Sequence, residues 1–344
     1  RYEEKKHLAK NVPLGELIYL DRERCIQCGR CVRYQTDLAD DPVIGFYQRG
    51  RSIQIVTQSE PGFDSIFSGN TTDICPVGAL TTVDFRFGAR PWELKSYGSL
   101  CTHCPVGCNI SIDVRREARS DGRVVIKRIM PRQNEEVNSL WICDKGRFVH
   151  HFTDPERRLL KPLVRKDGQL KATSMDAALD VIAARMRGKN RKIVTLVGGR
   201  LTNEDLYNLD NLTKAVSGRT YLYTDQDGGD ITCHAGIGPG GDLANIQPGT
   251  VILVIASDLH EEAPLYWFWT RQAVKSGATL IVINPRSTRL DKLAAQSLRY
   301  RYGEEGQILQ QMIKGLDDQD HPVAKLIRKA ENLLIFTDRE GLGL

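Results

Sequence analysis

Eight of the nine cysteines fall into two sets of four, each with three closely spaced thiols and a distant fourth. The first set has the spacing C-x2-C-x2-C and the second C-x2-C-x3-C. Three thiols so close together cannot each serve a separate partner, and a fourth from a remote loop completes a four-thiolate cage, which is how [4Fe–4S] clusters are held. We therefore predict two such sites, formed by Cys25, Cys28, Cys31 and Cys75 and by Cys101, Cys104, Cys108 and Cys143.

A structural zinc site and free core thiols are the alternatives to a cluster. Zinc sites usually use two CxxC-like pairs, whereas three close cysteines with a remote Cys-Pro pair, Cys75-Pro76, suit a cubane. Gly29 lets the first loop approach a cluster closely. Arg30 and Arg33 would favour the more negative reduced cluster, or are solvated surface charges. The spacing favours iron and sulfur over zinc.

Cys233 is the odd cysteine, and His234 follows it in a glycine-rich stretch. A Cys-His pair can ligate a metal or act as a nucleophile. A lone cysteine is more often inert, so Cys233 is the weaker candidate for chemistry in this chain.

Short strands and turns are predicted to position the clustered cysteines. A strand over residues 17–20 precedes the first loop, a helix-like turn over 32–38 follows it, and a further strand covers 53–57. Turn residues 68–70 deliver Cys75. In the gap before Cys143, residues 110–114 and 123–129 are expected to form a hairpin around Asp121-Gly122.

From about residue 161 the pattern changes to alternating strands and helices. Helices are expected after Ser174 and Thr202, and buried strands at 192–197, 251–256 and 279–283 with a helix at 264–276 between the last two. This βαβ order predicts a parallel sheet, whose ligands would lie at the carboxyl ends of its strands. The polar and glycine residues there are Gly198, Gly199, Ser257, Asp258 and residues 284–286, and no G-x-G-x-x-G fingerprint accompanies them.

Composition narrows the class of partner. The 344 residues carry 48 basic and 43 acidic side chains, a formal net charge of +5, which is too small to indicate nucleic acid or an anionic membrane surface. The aromatic and arginine residues of 85–94 could bind a nucleic acid, but at this charge packing against a neighbouring cluster domain is favoured. The apolar runs are strand-sized, so no direct membrane insertion is expected.

The quoted motifs together resemble the large iron–sulfur subunit of bacterial respiratory NADH:quinone oxidoreductase (complex I). The resemblance rests on four runs of sequence and covers essentially the whole chain. These runs are DRERCIQCGRC at 21–31, SGNTTDICPVGALT at 68–81, RFGARPWEL at 86–94 and CDKG at 143–146. The later half, with Asn284-Pro285-Arg286 after a strand, is similar more generally to molybdopterin oxidoreductases.

The resemblance implies three domains. They are an α+β ferredoxin-like [4Fe–4S] domain (1–96), a small β-rich [4Fe–4S] domain (97–160) and an α/β parallel-sheet domain of molybdopterin oxidoreductase type (161–344), expected to be incomplete. Because the chain begins with Arg1 and ends in a turn, we expect a fragment, with further [2Fe–2S] and [4Fe–4S] clusters belonging to a preceding region.

The resemblance also implies a function and a setting. The cluster of the Cys25 set would lie on the electron path from the flavin subunit to quinone, and that of the Cys101 set off that path. Partners would be the flavin/NADH-binding, ferredoxin-like and quinone-proximal subunits of the peripheral arm, on the cytoplasmic side of the membrane. Molybdopterin is not expected, because the family keeps this fold without the cofactor.

The same resemblance also allows an alternative function, that of a molybdenum or tungsten formate dehydrogenase. Such enzymes place a Cys or selenocysteine before a His, as in Cys233-His234, and a lysine between cluster and pterin, which Lys145 matches. Against this, they usually carry two complete ferredoxin motifs where this chain has one. A third possibility is that the α/β half is a scaffold that only docks neighbours.

Overall fold

The computed structural model describes residues 8–60, 62–118, 122–153, 158–188, 192–198, 201–223, 246–316 and 321–337. The chain divides into two compact units. One combines residues 1–150 with residues 240–344, and the other comprises residues 151–239. The first unit therefore contains both the cysteine-rich region and the residues of the later sheet. The division into three domains at residues 96 and 160 stays a prediction from the sequence motifs.

Two small antiparallel sheets frame the first cysteine loop. Ile18 and Leu20 are buried and Tyr19 between them is not, the alternation expected of a strand with one face in a core. A π-helical turn, Tyr34–Leu38, follows the first helix directly. The elements here are β1 (Val12–Pro13), β2 (Ile18–Leu20), α1 (Arg30–Arg33), β3 (Ile44–Tyr47), β4 (Gln54–Thr57), α2 (Asn70–Ile74) and β5 (Leu80–Thr82). Strand β2 pairs with β1 and β5, and β3 with β4.

A three-stranded antiparallel sheet carries the second cysteine loop. It consists of β6 (Lys95–Leu100), β7 (Asn109–Glu117) and β8 (Arg123–Pro131), and the short helix α3 (Asp144–Phe148) follows. The predicted hairpin is confirmed as β7 paired with β8, with a register shift at Asp113/Val114. Gly122 at its turn has φ 71°, whereas Asp121 lies outside the described residues.

The unit of residues 151–239 contains a hairpin and a parallel strand pair. Its elements are β9 (Leu163–Lys166), β10 (Gln169–Ala172), α4 (Met175–Met186), β11 (Val194–Gly198), α5 (Asn203–Ala215) and β12 (Arg219–Tyr223). The predicted helix starts are confirmed, because Ser174 Oγ accepts from Ala177 N at 3.3 Å and Thr202 Oγ1 from Asp205 N at 3.1 Å.

The strand predicted at 192–197 is present as β11, but the prediction that it is buried was wrong. Val194 is 56% and Leu196 70% exposed, and only Val197 of β11 is buried. The strand pairs with β12 alone among the described strands of this unit, and α5 contacts this two-stranded sheet. The side chains of Val194 and Leu196 therefore project from a face that the described part of this unit leaves uncovered.

The final part of the chain forms a four-stranded parallel sheet in the order β15 (Gln296–Leu298), β14 (Thr279–Ile283), β13 (Thr250–Ile255), β16 (Asn332–Thr337). This confirms the predicted βαβ arrangement. Val251, Ile252, Leu253 and Val254 of β13 are at most 3% exposed, as a central strand requires. The elements are β13 (Thr250–Ile255), α6 (Leu259–Glu262), α7 (Pro264–Lys275), β14 (Thr279–Ile283), β15 (Gln296–Leu298), α8 (Glu305–Gly315), α9 (Pro322–Arg328) and β16 (Asn332–Thr337).

Helix α7 joins this sheet to the cysteine-rich region. Phe67 stacks on Trp267 with ring centroids 6.2 Å apart and meets Phe268 edge-on at 5.7 Å. Arg271, on the same helix, is buried, lies over the Trp267 ring at 4.5 Å and donates to the carbonyl of Leu38 at 3.1 Å. One continuous hydrophobic core therefore includes residues of both cysteine regions and of the sheet.

Candidate metal centres

The four thiols of the first set line one small cavity, together with apolar neighbours such as Leu20 and Ile55. The loop is opened by Asp21, whose buried carboxylate accepts from the backbone N–H groups of Glu23 at 3.0 Å and Arg24 at 3.2 Å. These hydrogen bonds fix the start of the loop immediately before Cys25. The structure thus brings together Cys25, Cys28, Cys31 and Cys75, as their spacing predicted.

Gly29 sits at the point where this loop turns into α1. Its φ is 72°, in the left-handed region that favours glycine, and a Cβ there would lie 3.1 Å from the Phe46 ring. Glycine is therefore favoured at this position for two reasons: it adopts the left-handed backbone conformation, and it has no Cβ that would crowd the Phe46 ring. The helix that follows buries Cys31.

Backbone N–H groups point at three sulfurs of the first set. Ala79 N lies 3.3 Å from Cys75 Sγ, and the N–H groups of Gln27 and Val32 donate to Cys25 and Cys31. Such contacts stabilise a thiolate and, in a cluster, its more negative reduced form. They are a feature of the loop conformation that the spacing of the cysteines does not reveal.

The thiols of the first set are close enough for their thiolate forms to repel one another. Burial raises the pKa of Cys31 to about 11, and repulsion from Cys25, Cys75 and Cys28 adds to that shift. Four thiolates in one partly buried site are stable only beside a cation, and a metal core supplies it. The donor set therefore fits a four-thiolate cluster.

The second set is more deeply buried. Cys101, Cys108 and Cys143 are buried and Cys104 is half-buried, and Cys101 N donates to the carbonyl of Cys108 at 2.8 Å to close the loop. Burial raises the pKa of Cys143 to about 11, with further repulsion from Cys104 and Cys101. Burial also raises the pKa of Cys108, and all three other thiols of the set repel it. These four thiols too could hold a four-thiolate cluster.

Helix α3 passes close to this second loop because one of its residues is glycine. A Cβ on Gly146 would lie 3.2 Å from Cys101 Sγ. The backbone N–H of Gly146 also donates to Cys143, and those of His103 and Val106 donate to Cys101 and Cys104. Gly146 lies within the quoted run CDKG, but the run alone does not reveal this packing role.

Asp144 ties the two cysteine regions together, which the sequence did not predict. Its carboxylate accepts from Ser68 Oγ at 2.5 Å, Ser68 N at 3.1 Å and Gly69 N at 2.9 Å, at the start of the helix that ends at Cys75. Burial raises the pKa of Asp144 to about 6, and these hydrogen bonds oppose the shift. Through its carboxylate, Asp144, which directly follows Cys143, is hydrogen-bonded to the segment that carries Cys75.

Family models match the chain in three consecutive stretches. Residues 15–81 match the "NADH-quinone oxidoreductase subunit 3, ferredoxin-like domain" and residues 95–151 the "NADH-ubiquinone oxidoreductase NDSU1/NuoG-like, 4Fe-4S domain". Residues 158–335, about half of the chain, match "Molybdopterin oxidoreductase". The chain belongs to the NuoG-like family of NADH-quinone oxidoreductase subunits, and its α/β part to the molybdopterin oxidoreductases. The ferredoxin-like domain, the 4Fe-4S domain and the mixed α/β fold with a parallel sheet agree with the predicted fold class.

Curated relatives of the NuoG-like family match along most of this chain. An NADH-quinone oxidoreductase subunit of Streptomyces coelicolor is 32% identical over 98% of the chain and 43% of its own length. Subunit 3 of the Thermus thermophilus enzyme is 38% identical over 76% of the chain and 32% of its own length. The 75 kDa subunit of Reclinomonas americana is 30% identical over 98% and 48%. The chain therefore spans less than half the length of these relatives.

Among solved structures, acetylene hydratase of Pelobacter acetylenicus is similar with a TM-score of 0.42 and 18% identity. The match covers 72% of this chain and 38% of that one.

In the described part of this NuoG-like chain, no helix is long and apolar enough to cross a membrane.

The carboxyl edge of the parallel sheet is where the molybdopterin fold would place its ligand. Here Arg286 Nη1 lies 2.9 Å from Asp258 Oδ2, and Asn284 Nδ2 donates to the carbonyl of Ser257 at 3.1 Å. Ser257 Oγ in turn donates to Glu262 Oε2 at 2.6 Å. Arg286 thus neutralises the Asp258 carboxylate, and Asn284, Ser257 and Glu262 also make polar contacts within this edge. The described residues of this edge therefore direct their polar groups at one another.

Lys145 and Cys233 are the two weaker catalytic candidates, and of these Lys145 lies among the residues that the structure describes. Lys145 Nζ donates to the backbone carbonyl of Glu261 at 2.6 Å, and its positive charge opposes the rise that burial causes in the pKa of Cys104. Lys145 thus connects α3 to α6 beside the second thiol set. Cys233 and His234 lie outside the described residues, as does Gly199, while Gly198 ends β11.

Proposed function

We propose that this chain is an electron-transfer part of an NADH:quinone oxidoreductase, relaying electrons from a flavin subunit toward quinone. In this proposal Cys25, Cys28, Cys31 and Cys75 hold one [4Fe–4S] cluster, and Cys101, Cys104, Cys108 and Cys143 hold a second. The observation that carries it is the difference in access between the two sets: of the eight described cysteines, Cys28 alone is exposed.

The surface around Cys28 supports a relay. Ile26 is 60% exposed and Val77 37%, both lining the same cavity as the thiols, and Phe46, 41% exposed, packs against the Gly29 position of the loop. Electron transfer weakens steeply with distance, so a relay needs its partner close to a ligand. An apolar rim around an exposed ligand allows that approach with little desolvation of charge.

The second set is surrounded by its own fold. Helix α7 packs on the second cysteine loop and on the segment before Cys143. Two hydrogen bonds show this: Tyr266 Oη donates to the carbonyl of Pro105 at 3.4 Å, and Trp269 Nε1 donates to that of Val137 at 3.2 Å. This enclosure supports a cluster that is off the main electron path. It also supports the view that the α/β half acts as a scaffold for the cluster domains.

The clusters supply reversible one-electron chemistry. The residues of this chain fix the ligands, direct N–H groups at the sulfurs and exclude water from the second site. No proton donor or substrate pocket is required of the described residues. Among the described residues no contact favours a formate dehydrogenase, since Lys145 donates to a backbone carbonyl and Arg286 at the sheet edge is paired with Asp258.

The partners and location follow from the same proposal. They are the flavin/NADH-binding, ferredoxin-like and quinone-proximal subunits of the peripheral arm, assembled on the cytoplasmic side of the membrane. Further [2Fe–2S] and [4Fe–4S] clusters would belong to the region that precedes this one in the whole protein. Nucleic acid is not among the proposed partners.

Low-temperature EPR of the dithionite-reduced protein tests the proposal. Besides the signals of any clusters in the preceding region, we expect two [4Fe–4S] signals from these ligand sets, of which Cys75→Ala removes one and Cys143→Ala the other. In the assembled complex, NADH should still reduce the first cluster in the Cys143→Ala variant, whereas Cys75→Ala should abolish electron delivery to quinone. Zinc at one atom per site without iron, or molybdenum or tungsten in the whole protein, would overturn it.

A further inference from the structure

Asn70 is fully buried and uses its entire hydrogen-bonding capacity. Its Nδ2 donates to Tyr34 Oη at 2.8 Å and to the carbonyl of Ile142 at 2.9 Å. Its Oδ1 accepts from Ile142 N and from Arg147 Nη2, both at 3.3 Å. Two donated and two accepted bonds are all that a side-chain amide can make, so this one is held in a single orientation.

The partners of Asn70 lie next to ligands of both thiol sets. Tyr34 caps α1, the helix that contains Cys31. Asn70 itself begins α2, whose C-cap residue is Cys75. Ile142 directly precedes Cys143. One side chain thus contacts, or belongs to, the segments that carry three cluster ligands from two different sites.

Further contacts hold the same two segments together. Asp144 N donates to the carbonyl of Ile66 at 2.7 Å, and Arg147 forms an ion pair with Asp73. A Cβ on Gly69 would overlap the Arg147 side chain, so the close approach requires glycine there. With the Asp144 carboxylate, these contacts form a buried and largely satisfied polar network around Asn70.

We propose that Asn70 is a positioning residue that couples the two cluster sites, because its single amide fixes the α1, α2 and Cys143 segments relative to one another. The inference rests on the proposed function, since it requires that both thiol sets hold clusters. In a close-packed interior a segment moves only with its neighbours, so a change at Asn70 displaces ligands in both sites. Ligand orientation and N–H···S contacts set cluster potentials. Both potentials therefore depend on Asn70.

The test is EPR of the whole protein poised at a series of potentials, with both clusters followed in each sample. In Asn70→Leu we expect the oxidised-to-reduced ratio at the wild-type midpoint to change several-fold for both clusters. Thr71→Val is the matched control, because Thr71 is equally buried on the same helix but its Oγ1 donates only within the turn, to the carbonyl of Ser68 at 2.6 Å. The control should leave the second cluster unchanged.

Tyr34→Phe separates one arm of the bridge from the other. It removes only the hydroxyl beside the Cys31 helix, so the first cluster should change and the second should not. If Asn70→Leu does not assemble, Asn70→Asp keeps the side-chain shape while removing the two donated bonds, and it should likewise change both clusters.

The inference is overturned if the Asn70 variants change one cluster only, or if Thr71→Val changes the second cluster as much as they do. An unchanged first cluster in Tyr34→Phe also overturns it. Failure of the proposed function looks different, because the wild-type protein would then lack two [4Fe–4S] signals before any substitution is made.

Discussion

Arg271 Nη1 donates to the backbone carbonyl of Leu38 at 3.1 Å, from a side chain that is only 1% exposed. This guanidinium joins the helix of the parallel sheet to the π-helical turn that follows Cys31. We expect Arg271→Met to destabilise the protein by about 2–3 kcal/mol, because it removes a charged hydrogen bond to the part-buried carbonyl of Leu38 and the ion pair with Asp40. The midpoint of urea unfolding, followed by tryptophan fluorescence, measures it.

Lys275→Met is the control for Arg271. Lys275 donates to the carbonyl of Asp37 at 3.2 Å from an exposed position one turn further along the same helix. Its loss should change stability by no more than about 0.5 kcal/mol, because water replaces the contact. Equal effects of the two substitutions would show that Arg271 makes no special contribution.

Gly146→Ala should disturb the second cluster alone. The new Cβ would lie 3.2 Å from Cys101 Sγ, so that ligand or helix α3 must shift. We expect an altered or missing second-cluster EPR signal and a normal first one. Gly306→Ala is the matched control, since nothing lies within 4 Å of that position in α8, and it should stabilise the helix by up to about 1 kcal/mol. A normal second signal in Gly146→Ala would contradict the expectation.

Gly29→Ala should impair the first cluster for two separable reasons. The left-handed backbone at Gly29 disfavours alanine by about 1–2 kcal/mol, and the new Cβ meets the Phe46 ring at 3.1 Å. The rate at which the first-cluster EPR signal decays in mild denaturant should rise. Adding Phe46→Leu removes the ring contact but not the backbone strain, so it should restore only part of the stability. Full restoration would show that φ is unimportant there.

Lys145→Met should lower the potential of the second cluster. The Lys145 ammonium lies near Cys104, and a positive charge beside a cluster favours its more negative reduced form. EPR redox titration of both clusters measures the change, and the first cluster serves as the internal reference. Lys145→Arg keeps the charge and should remain near the wild-type potential. A potential unchanged in Lys145→Met would mean that the charge is screened by solvent.

The thiol sets and the central βαβ unit could be predicted from sequence because both depend on local patterns. Ligand spacing identifies the first, and short apolar runs separated by a helical period identify the second. The Asn70 and Asp144 networks could not be predicted in this way, because the residues that they join are between 36 and 77 positions apart in the chain. Nothing local distinguishes a Ser-Gly-Asn turn that binds a distant carboxylate from an ordinary one.

Two further positions show where pattern reasoning fails. Arg271 lies on a helix among apolar residues, where an arginine ordinarily marks the solvent face, yet it is buried against Trp267 and Leu38. Strand β11 shows the opposite error, since an apolar run was predicted to be buried and is half exposed. In both cases the surroundings of the element decide burial, and the element's own composition does not.

The division of the chain has a consequence for biosynthesis. The core around Cys101, Cys108 and Cys143 also contains Ile252, Trp267 and Leu280, which leave the ribosome only after residues 151–239 have been made. Domains form during translation as their residues emerge, and this core lacks one wall until the parallel sheet is available. We therefore expect the second thiol set to stay accessible to solvent during translation until the residues of helix α7 have been made.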